Sequence, residues 1–69
     1  MKKFALYNPI NDQYVSYLLY NRKTKTYDIE YTRSVYSIRF WNLRSSAEAQ
    51  AQRVFDWNRS VALEVHELK

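Results

Sequence analysis

The sequence predicts a single α+β domain in which a small, mainly antiparallel sheet carries one helix on one face. Segments of alternating apolar and polar residues, typical of half-buried strands, recur from the N-terminus to Trp41. An alanine-rich segment with apolar residues at helical spacing follows, and another alternating segment comes last. The length of 69 residues predicts one domain over residues 1–69. The predicted order of elements is β-β-β-β-α-β.

The first three strands are predicted from short runs of β-forming residues with turn residues between them. Residues 3–7 alternate and place Phe4 and Leu6 on one face, and the turn that follows contains the single proline. Residues 14–20 are rich in aromatic and aliphatic side chains. A polar connection at 21–25 suits a hairpin loop. Residues 26–32 alternate throughout, which predicts the return strand of that hairpin.

Residues 35–41 also alternate, and their local pattern predicts a further long strand. Tyr36, Ile38 and Phe40 would share one face of it. The competing interpretation is a short helical turn at 33–37 that leads into a shorter strand.

The helix is predicted from Ser45, because Ser45 and Glu48 have the spacing of a capping box. Asn58 is expected to end it in the left-handed conformation. The outward side chains include Arg53, and the inward stripe consists of Ala47, Ala51, Val54 and Phe55. Burial of Phe55 in the core predicts a loss of about 3–5 kcal/mol on truncation to alanine.

The last strand is predicted at 60–68, with Val61, Leu63 and Val65 facing inward. Since a long connection through the helix precedes it, this strand could lie parallel to a neighbour. Its order in the sheet does not follow from the sequence.

The chain has no glycine and no cysteine. The absence of glycine excludes a P-loop and a dinucleotide-binding fingerprint, and the absence of cysteine excludes a disulfide and a thiolate zinc site. Without glycine, asparagine is the next most tolerant residue for positive backbone φ angles. We therefore expect such angles among the asparagines between the predicted elements, which are Asn8, Asn11, Asn21, Asn42 and Asn58.

Few residues suit a reaction centre. His66 is the only histidine, and its place in an alternating strand predicts a solvent-facing side chain, not a general base or metal ligand. Asp28 and Glu30 share one strand face, where a solvated hairpin surface is favoured over a magnesium or glycosidase site. We therefore predict that the protein is not an enzyme, and we expect no cofactor and no metal.

Basic residues are concentrated in the middle of the chain, whose net charge is +4. All seven tyrosines also lie at or before Tyr36. Aromatic residues interleaved with cations are typical of single-stranded nucleic-acid binding, and aromatic residues and arginine also dominate protein interfaces. The candidate binding residues are Arg22, Lys23, Lys25, Arg33, Arg39, Trp41 and Arg44.

The pattern Tyr31-Thr32, then Ser37-Ile38-Arg39-Phe40, then Ser46-Ala47 and Ala51 resembles one found in small phage and prophage accessory proteins. Those proteins have a hairpin that ends in an aromatic-Thr pair, then a small residue, two spacers and Phe, and then a Ser-capped, alanine-rich helix. This chain departs from the pattern at Ser37, where alanine is commoner, and in having no hairpin glycine. The resemblance covers roughly the last two-thirds of the chain. It favours the short turn at 33–37 and implies an accessory or counter-defence role, with no catalytic residue.

These features predict a small non-catalytic binding protein of the cytoplasm, the host-cell cytoplasm if it is phage-encoded. The first hypothesis is a phage-encoded inhibitor of a host defence complex, such as a CRISPR effector or a nuclease. It would bind a host protein or ribonucleoprotein through a basic and aromatic face. The alternative is a nonspecific single-stranded nucleic-acid-binding protein. No apolar run reaches the length of a membrane span, so no membrane partner is expected. Edge-strand pairing into a homodimer is also expected, because no disulfide or thiolate metal site supports the small core.

Overall fold

A computed structural model describes residues 2–68, and in those residues it contains four strands and one helix. The sheet order is β3-β2-β1-β4, and every neighbouring pair is antiparallel. The predicted α+β class, with one helix on an antiparallel sheet, is confirmed. Met1 and Lys69, the ends of the predicted domain, lie outside the described residues. The elements are β1 (Lys3–Asn8), β2 (Gln13–Asn21), β3 (Thr26–Thr32), α1 (Arg44–Trp57) and β4 (Glu64–Leu68).

The expectation that the last strand could lie parallel to a neighbour is wrong, because β4 runs antiparallel to β1. Leu6 stands opposite Val65, and both side chains belong to the face that packs against α1. The strand predicted at 60–68 is shorter, since β4 begins at Glu64. The predicted inward positions of Val61, Leu63 and Val65 are confirmed, since all three pack against the core. Among residues 2–68, no helix combines the length and the apolar character needed to cross a bilayer.

The β2–β3 hairpin contains a bulge that adjusts which side chains face the helix. Leu18 stands opposite Ile29 and Val15 opposite Tyr31, with a register shift between Val15 and Tyr17. The extra residue lets Val15 and Leu18 both be buried under α1 although they lie three positions apart. The inward-facing residues of β2 therefore stay opposite inward-facing residues of β3, despite their odd spacing along β2.

Residues 35–41 do not form the long strand that their alternation predicts. A turn closes where the Ser37 backbone N–H donates to the Ser34 carbonyl oxygen at 3.1 Å. Val35 and Tyr36 lie at the tip of this turn and are exposed, Tyr36 by 96%. The competing interpretation, a short turn at 33–37, is closer to the structure than the long strand is, although the turn is a β-turn and not a helical turn. Alternation is compatible with either structure, because it does not specify how many residues pair with a neighbouring strand.

After the turn, the chain enters a gap between β1 and β2. These strands pair only at Tyr7 with Tyr14 and at Asn8 with Gln13. In the gap, the Phe4 and Trp41 backbones exchange two hydrogen bonds of 2.8 and 2.9 Å. The Arg39 N–H donates to the Val15 carbonyl oxygen at 3.0 Å. Residues 39–41 thus join two diverging strands without forming a regular strand.

The predicted helix caps are wrong, and the predicted buried stripe is confirmed in part. Leu43 is the N-cap and makes no side-chain cap hydrogen bond, so Ser45 already lies inside the helix and cannot cap it. Asn58 ends the helix at φ −147°, which is extended backbone. Ala47 and Val54 are buried, and the other two stripe residues are half-buried.

Positive φ angles occur at Asp12 and Lys25, not at asparagines as expected. The asparagine side chains instead close Asx turns, which accounts for their positions between elements. For example, the Asn21 side-chain oxygen accepts hydrogen bonds from the backbone N–H groups of Lys23 and Thr24, at 2.9 and 3.3 Å. Equivalent acceptors two residues before a backbone donor are Asn8, Asn11 and Asn58.

Replacement of Lys25 with glycine is expected to stabilise the protein. Lys25 has φ 57°, and a Cβ atom in this region costs about 1–2 kcal/mol. Glycine removes that cost but loses more conformational entropy on folding, so we expect a net gain of about 0.5–1 kcal/mol. Urea denaturation followed by circular dichroism measures this gain. Lys23→Gly, in the same loop but without positive φ, should instead lower the free energy of unfolding. A loss of stability in both variants would contradict the prediction.

The core lies between the sheet and α1. Leu6, Val15 and Val54 are fully buried there, with Phe4, Leu18 and Ala47 around them. The half-buried residues that pack against this cluster include Tyr27, Ile29 and Trp41. Phe55 is half-buried and lines a groove beside β4, so its predicted place in the core is corrected to the edge of the helix–sheet interface.

Candidate binding groove

Three arginines from three parts of the chain line one cavity of about 500 Å³ between the hairpin and α1. Arg22 directly follows β2, Arg39 lies in the segment that joins β1 to β2, and Arg53 belongs to α1. None of the residues that line this cavity is acidic. We call it the arginine groove. Its further lining residues are Leu18, Leu19, Tyr20, Tyr27, Trp41 and Gln50.

The backbone pairing of Trp41 places two groove residues. Trp41 stands opposite Phe4, a core residue on the helix side of the sheet. In extended backbone, Arg39 two residues earlier points to the same side. Its guanidinium carbon lies 5.1 Å from the Trp41 ring centroid. This cation–π contact holds Arg39 at the mouth of the groove.

The intervening Phe40 points to the other face of the sheet. There the Lys3 ammonium lies 5.1 Å from the Phe40 ring centroid. Alternation in residues 39–41 therefore divides these three side chains between the two faces of the sheet, and only the two on the helix side reach the groove.

The other wall of the groove combines helix polar groups with aromatic rings. Gln50 and Arg53 lie three residues apart on α1, so their side chains are neighbours. Tyr27 lies 5.0 Å from Tyr20 and 5.6 Å from Trp57 between ring centroids. The tyrosines give the groove apolar surface beside its cations.

The groove arginines form no ion pair within residues 2–68. In residues 2–68, the ion pairs join Glu67 to Lys2 and Arg44, at 3.9 and 3.7 Å, and Glu64 to His66 at 3.1 Å. None of these pairs includes a groove arginine. Like charges brought together without counter-charges repel one another, and a bound anion would relieve this repulsion.

The structure brings together three of the seven predicted binding residues, namely Arg22, Arg39 and Trp41. Lys23 and Lys25 are exposed in the hairpin loop and do not line the groove.

Arg33 and Arg44 also lie outside the arginine groove, because each is held elsewhere. The Arg33 guanidinium donates to the Asn11 carbonyl oxygen at 3.0 Å. Arg44 reaches Glu67 at 3.7 Å and the Phe4 ring at 5.0 Å. Both side chains therefore stabilise the fold locally, at a turn and at the start of α1.

Sequence reasoning missed Arg53, which was expected simply to face outward. Arg53 is exposed, but it lies on the side of α1 that borders the hairpin. The available signal was that Arg53 precedes the buried Val54 by one position and so flanks the apolar stripe. Which flank meets the hairpin depends on how the helix lies across the sheet.

His66 is not simply solvent-facing, as was expected. It lies on the sheet face away from α1, where its ring stacks on Tyr7 with 4.7 Å between centroids. Its Nδ1 atom is 3.0 Å from the Tyr14 hydroxyl, and its Nε2 atom is 3.1 Å from Glu64 Oε1. A phenol, an imidazole and a carboxylate in series resemble a nucleophile with its base. The two cavities beside α1 are lined by other residues.

The pKa of Tyr7 is raised above 10.0, chiefly because its hydroxyl donates a hydrogen bond to the Asp12 carboxylate. Desolvation and the negative charges of Asp12 and Glu64 add to the effect. A raised folded-state pKa means that this contribution to stability is present below pH 10 and is lost as pH rises through that pKa.

In residues 2–68, no group of three or more His, Cys, Asp or Glu side chains is placed to hold a metal ion.

Asp12→Asn is expected to lower the pKa of Tyr7 toward its ordinary value. Asparagine tolerates the positive φ of this position, so the backbone should be kept. A ¹³C NMR titration that follows the Tyr7 ring measures the change. Asp28→Asn is the control and should leave Tyr7 unchanged. An unchanged Tyr7 titration in Asp12→Asn would contradict the assigned cause.

Comparisons with protein-family models, with curated proteins and with solved structures found no match to this chain.

Proposed function

We propose that this chain is a non-catalytic binding protein whose arginine groove receives an anionic group of a larger partner. The observation that carries the proposal is the convergence of Arg22, Arg39 and Arg53 on one cavity lined by no carboxylate. Guanidinium groups bind carboxylates and phosphates through paired hydrogen bonds, and these are stronger than neutral ones. The groove thus offers both charge and directed donors.

A protein or ribonucleoprotein surface is the first candidate partner. Tryptophan, tyrosine and arginine are the residues that most often dominate protein interfaces, and the groove combines Trp41 and Tyr20 with its arginines. The resemblance to phage accessory proteins supports a host target in the cytoplasm. In that setting, the protein would inhibit a defence complex such as a CRISPR effector or a nuclease by occupying an anionic part of its surface.

Single-stranded nucleic acid is the second candidate partner. It is favoured by the contact of the Arg39 guanidinium with the Trp41 ring, since planar groups next to cations can stack bases while phosphates pair with arginine. This role would need no protein partner.

A salt series distinguishes the two candidates. Fluorescence anisotropy with a labelled single strand of about 12 nucleotides should show weak binding that falls steeply between roughly 50 and 200 mM salt. An affinity pull-down from host extract at the higher salt should retain a partner, because aromatic burial is less sensitive to salt. Tight binding to the bare strand without a retained protein would favour the second candidate. Failure of both measurements would contradict the proposed function.

A further inference from the structure

The free edge of β4 lies beside a second groove. β4 is the last strand of the sheet, and in residues 2–68 it pairs with a strand on one side only, β1. The groove, of about 310 Å³, runs between β4 and α1. Its lining is five apolar residues and two polar ones, and these are Ala51, Phe55, Ala62, Leu63, Val65, Glu48 and Gln52. An unpaired strand edge above apolar side chains is a template for another strand.

We propose that a second copy of this chain occupies this edge, with β4 of each copy paired antiparallel about a two-fold axis through Val65. The proposal does not depend on the arginine groove, which is lined by other residues of α1. A core this small supplies only about 3–5 kcal/mol, so further burial at an interface would add materially to stability.

The symmetry limits the possible registers. Residues directly opposite in an antiparallel pair share a face. The two-fold axis must therefore set one residue opposite its own copy in the partner, and we name the axis by that residue. An axis through Glu64 or Glu67 would place a carboxylate against the same carboxylate of the partner. An axis through His66 would place the two imidazoles together. These three registers oppose like groups at the centre of the interface.

An axis through Val65 gives complementary pairs on the outer face instead. Glu64 of each copy then lies opposite the partner's His66, which places a carboxylate beside an imidazole twice on the outer face. On the inner face, Val65 meets the partner's Val65. Leu63 lies opposite the partner's Glu67, a residue whose carboxylate Arg44 already holds at 3.7 Å.

This arrangement also joins the two grooves beside β4. Because the axis is perpendicular to the sheet, both copies of α1 lie on the same side of one continuous eight-stranded sheet. The half-buried Phe55 of each copy then faces the apolar surface of the other across the axis. The exposed lining of each groove would thus be covered by its symmetry mate.

Sedimentation equilibrium of the full chain, at concentrations of about 10–500 μM, tests the proposal. The expected mass is twice the 8.4 kDa of one chain. Glu64→Lys should shift the mass to one chain, with the circular dichroism spectrum unchanged. Glu30→Lys is the matched control, because Glu30 is exposed on the opposite edge strand, β3, and this variant should remain dimeric.

A cysteine placed on the axis gives a second readout that does not depend on disrupting the interface. The chain has no cysteine, so Val65→Cys should form a disulfide-linked dimer on mild oxidation, since opposite Cβ atoms lie about 4.5–5.5 Å apart and the short end of that range meets the geometry of a disulfide. Glu30→Cys should not. A wild-type mass of one chain throughout the concentration range would overturn the proposal. A dimer that survives Glu64→Lys and does not cross-link at position 65 would overturn it as well.

Discussion

Replacement of Leu6 with alanine is expected to remove most or all of the protein's free energy of unfolding at 25 °C. Leu6 lies in β1, is fully buried and packs in the cluster that contains Val15 and Val54. Truncation of a buried leucine costs about 2–5 kcal/mol, and a domain of this length rarely has more than about 3–5 kcal/mol of stability. The mutation therefore removes most or all of it. Far-UV circular dichroism with urea titration measures the loss.

Phe55→Ala is the matched control for the core. The helical spacing of the stripe predicts that truncation of Phe55 costs as much as truncation of a core residue. Phe55 is half-buried beside β4, so we expect a loss of about 1–2 kcal/mol, scaled down by its partial burial. The Phe55 variant should keep a cooperative unfolding transition. Equal losses for Leu6→Ala and Phe55→Ala, measured at the same low protein concentration, would contradict the assigned core.

Removal of two groove arginines is expected to reduce partner binding by a factor of about 10²–10⁴. Arg39→Gln together with Arg53→Gln deletes two guanidinium groups from the arginine groove. Each charge-assisted hydrogen bond contributes about 1.5–3 kcal/mol, so the pair accounts for that range. The measurements are the anisotropy of the labelled single strand and the amount of partner retained in the pull-down. The fold should survive, because both side chains are exposed.

The control for this prediction is Lys23→Gln together with Arg59→Gln. This variant also loses two positive charges, so its net charge falls from +4 to +2, but both positions are exposed and do not line the groove. We expect the control to reduce binding several-fold at most, through the weaker overall field of the protein. Equal effects of the two double variants would show that net charge, and not the groove, determines binding.

The candidate site could be predicted only in part from the sequence. The regional excess of basic residues pointed to Arg22, Arg39 and Trp41, which do meet in one cavity. The same excess pointed to Arg33 and Arg44, which local contacts hold elsewhere. Charge counted along the chain does not show which side chains converge, because the convergence depends on how separate elements pack.

Local periodicity by itself determined the hairpin, the buried stripe of α1 and the α+β class, since alternation and helical spacing are properties of neighbouring residues. Only the tertiary structure decided the strand order, the antiparallel direction of β4 and the path of residues 35–41. That segment alternates like a strand, yet β1 and β2 leave it a gap in which only a few backbone groups can pair. An alternating segment therefore becomes a strand only where neighbouring strands offer it enough unpaired backbone groups. No local pattern contains that information. The same packing brings Arg53 of α1 and Arg39 to one cavity, and so forms the arginine groove.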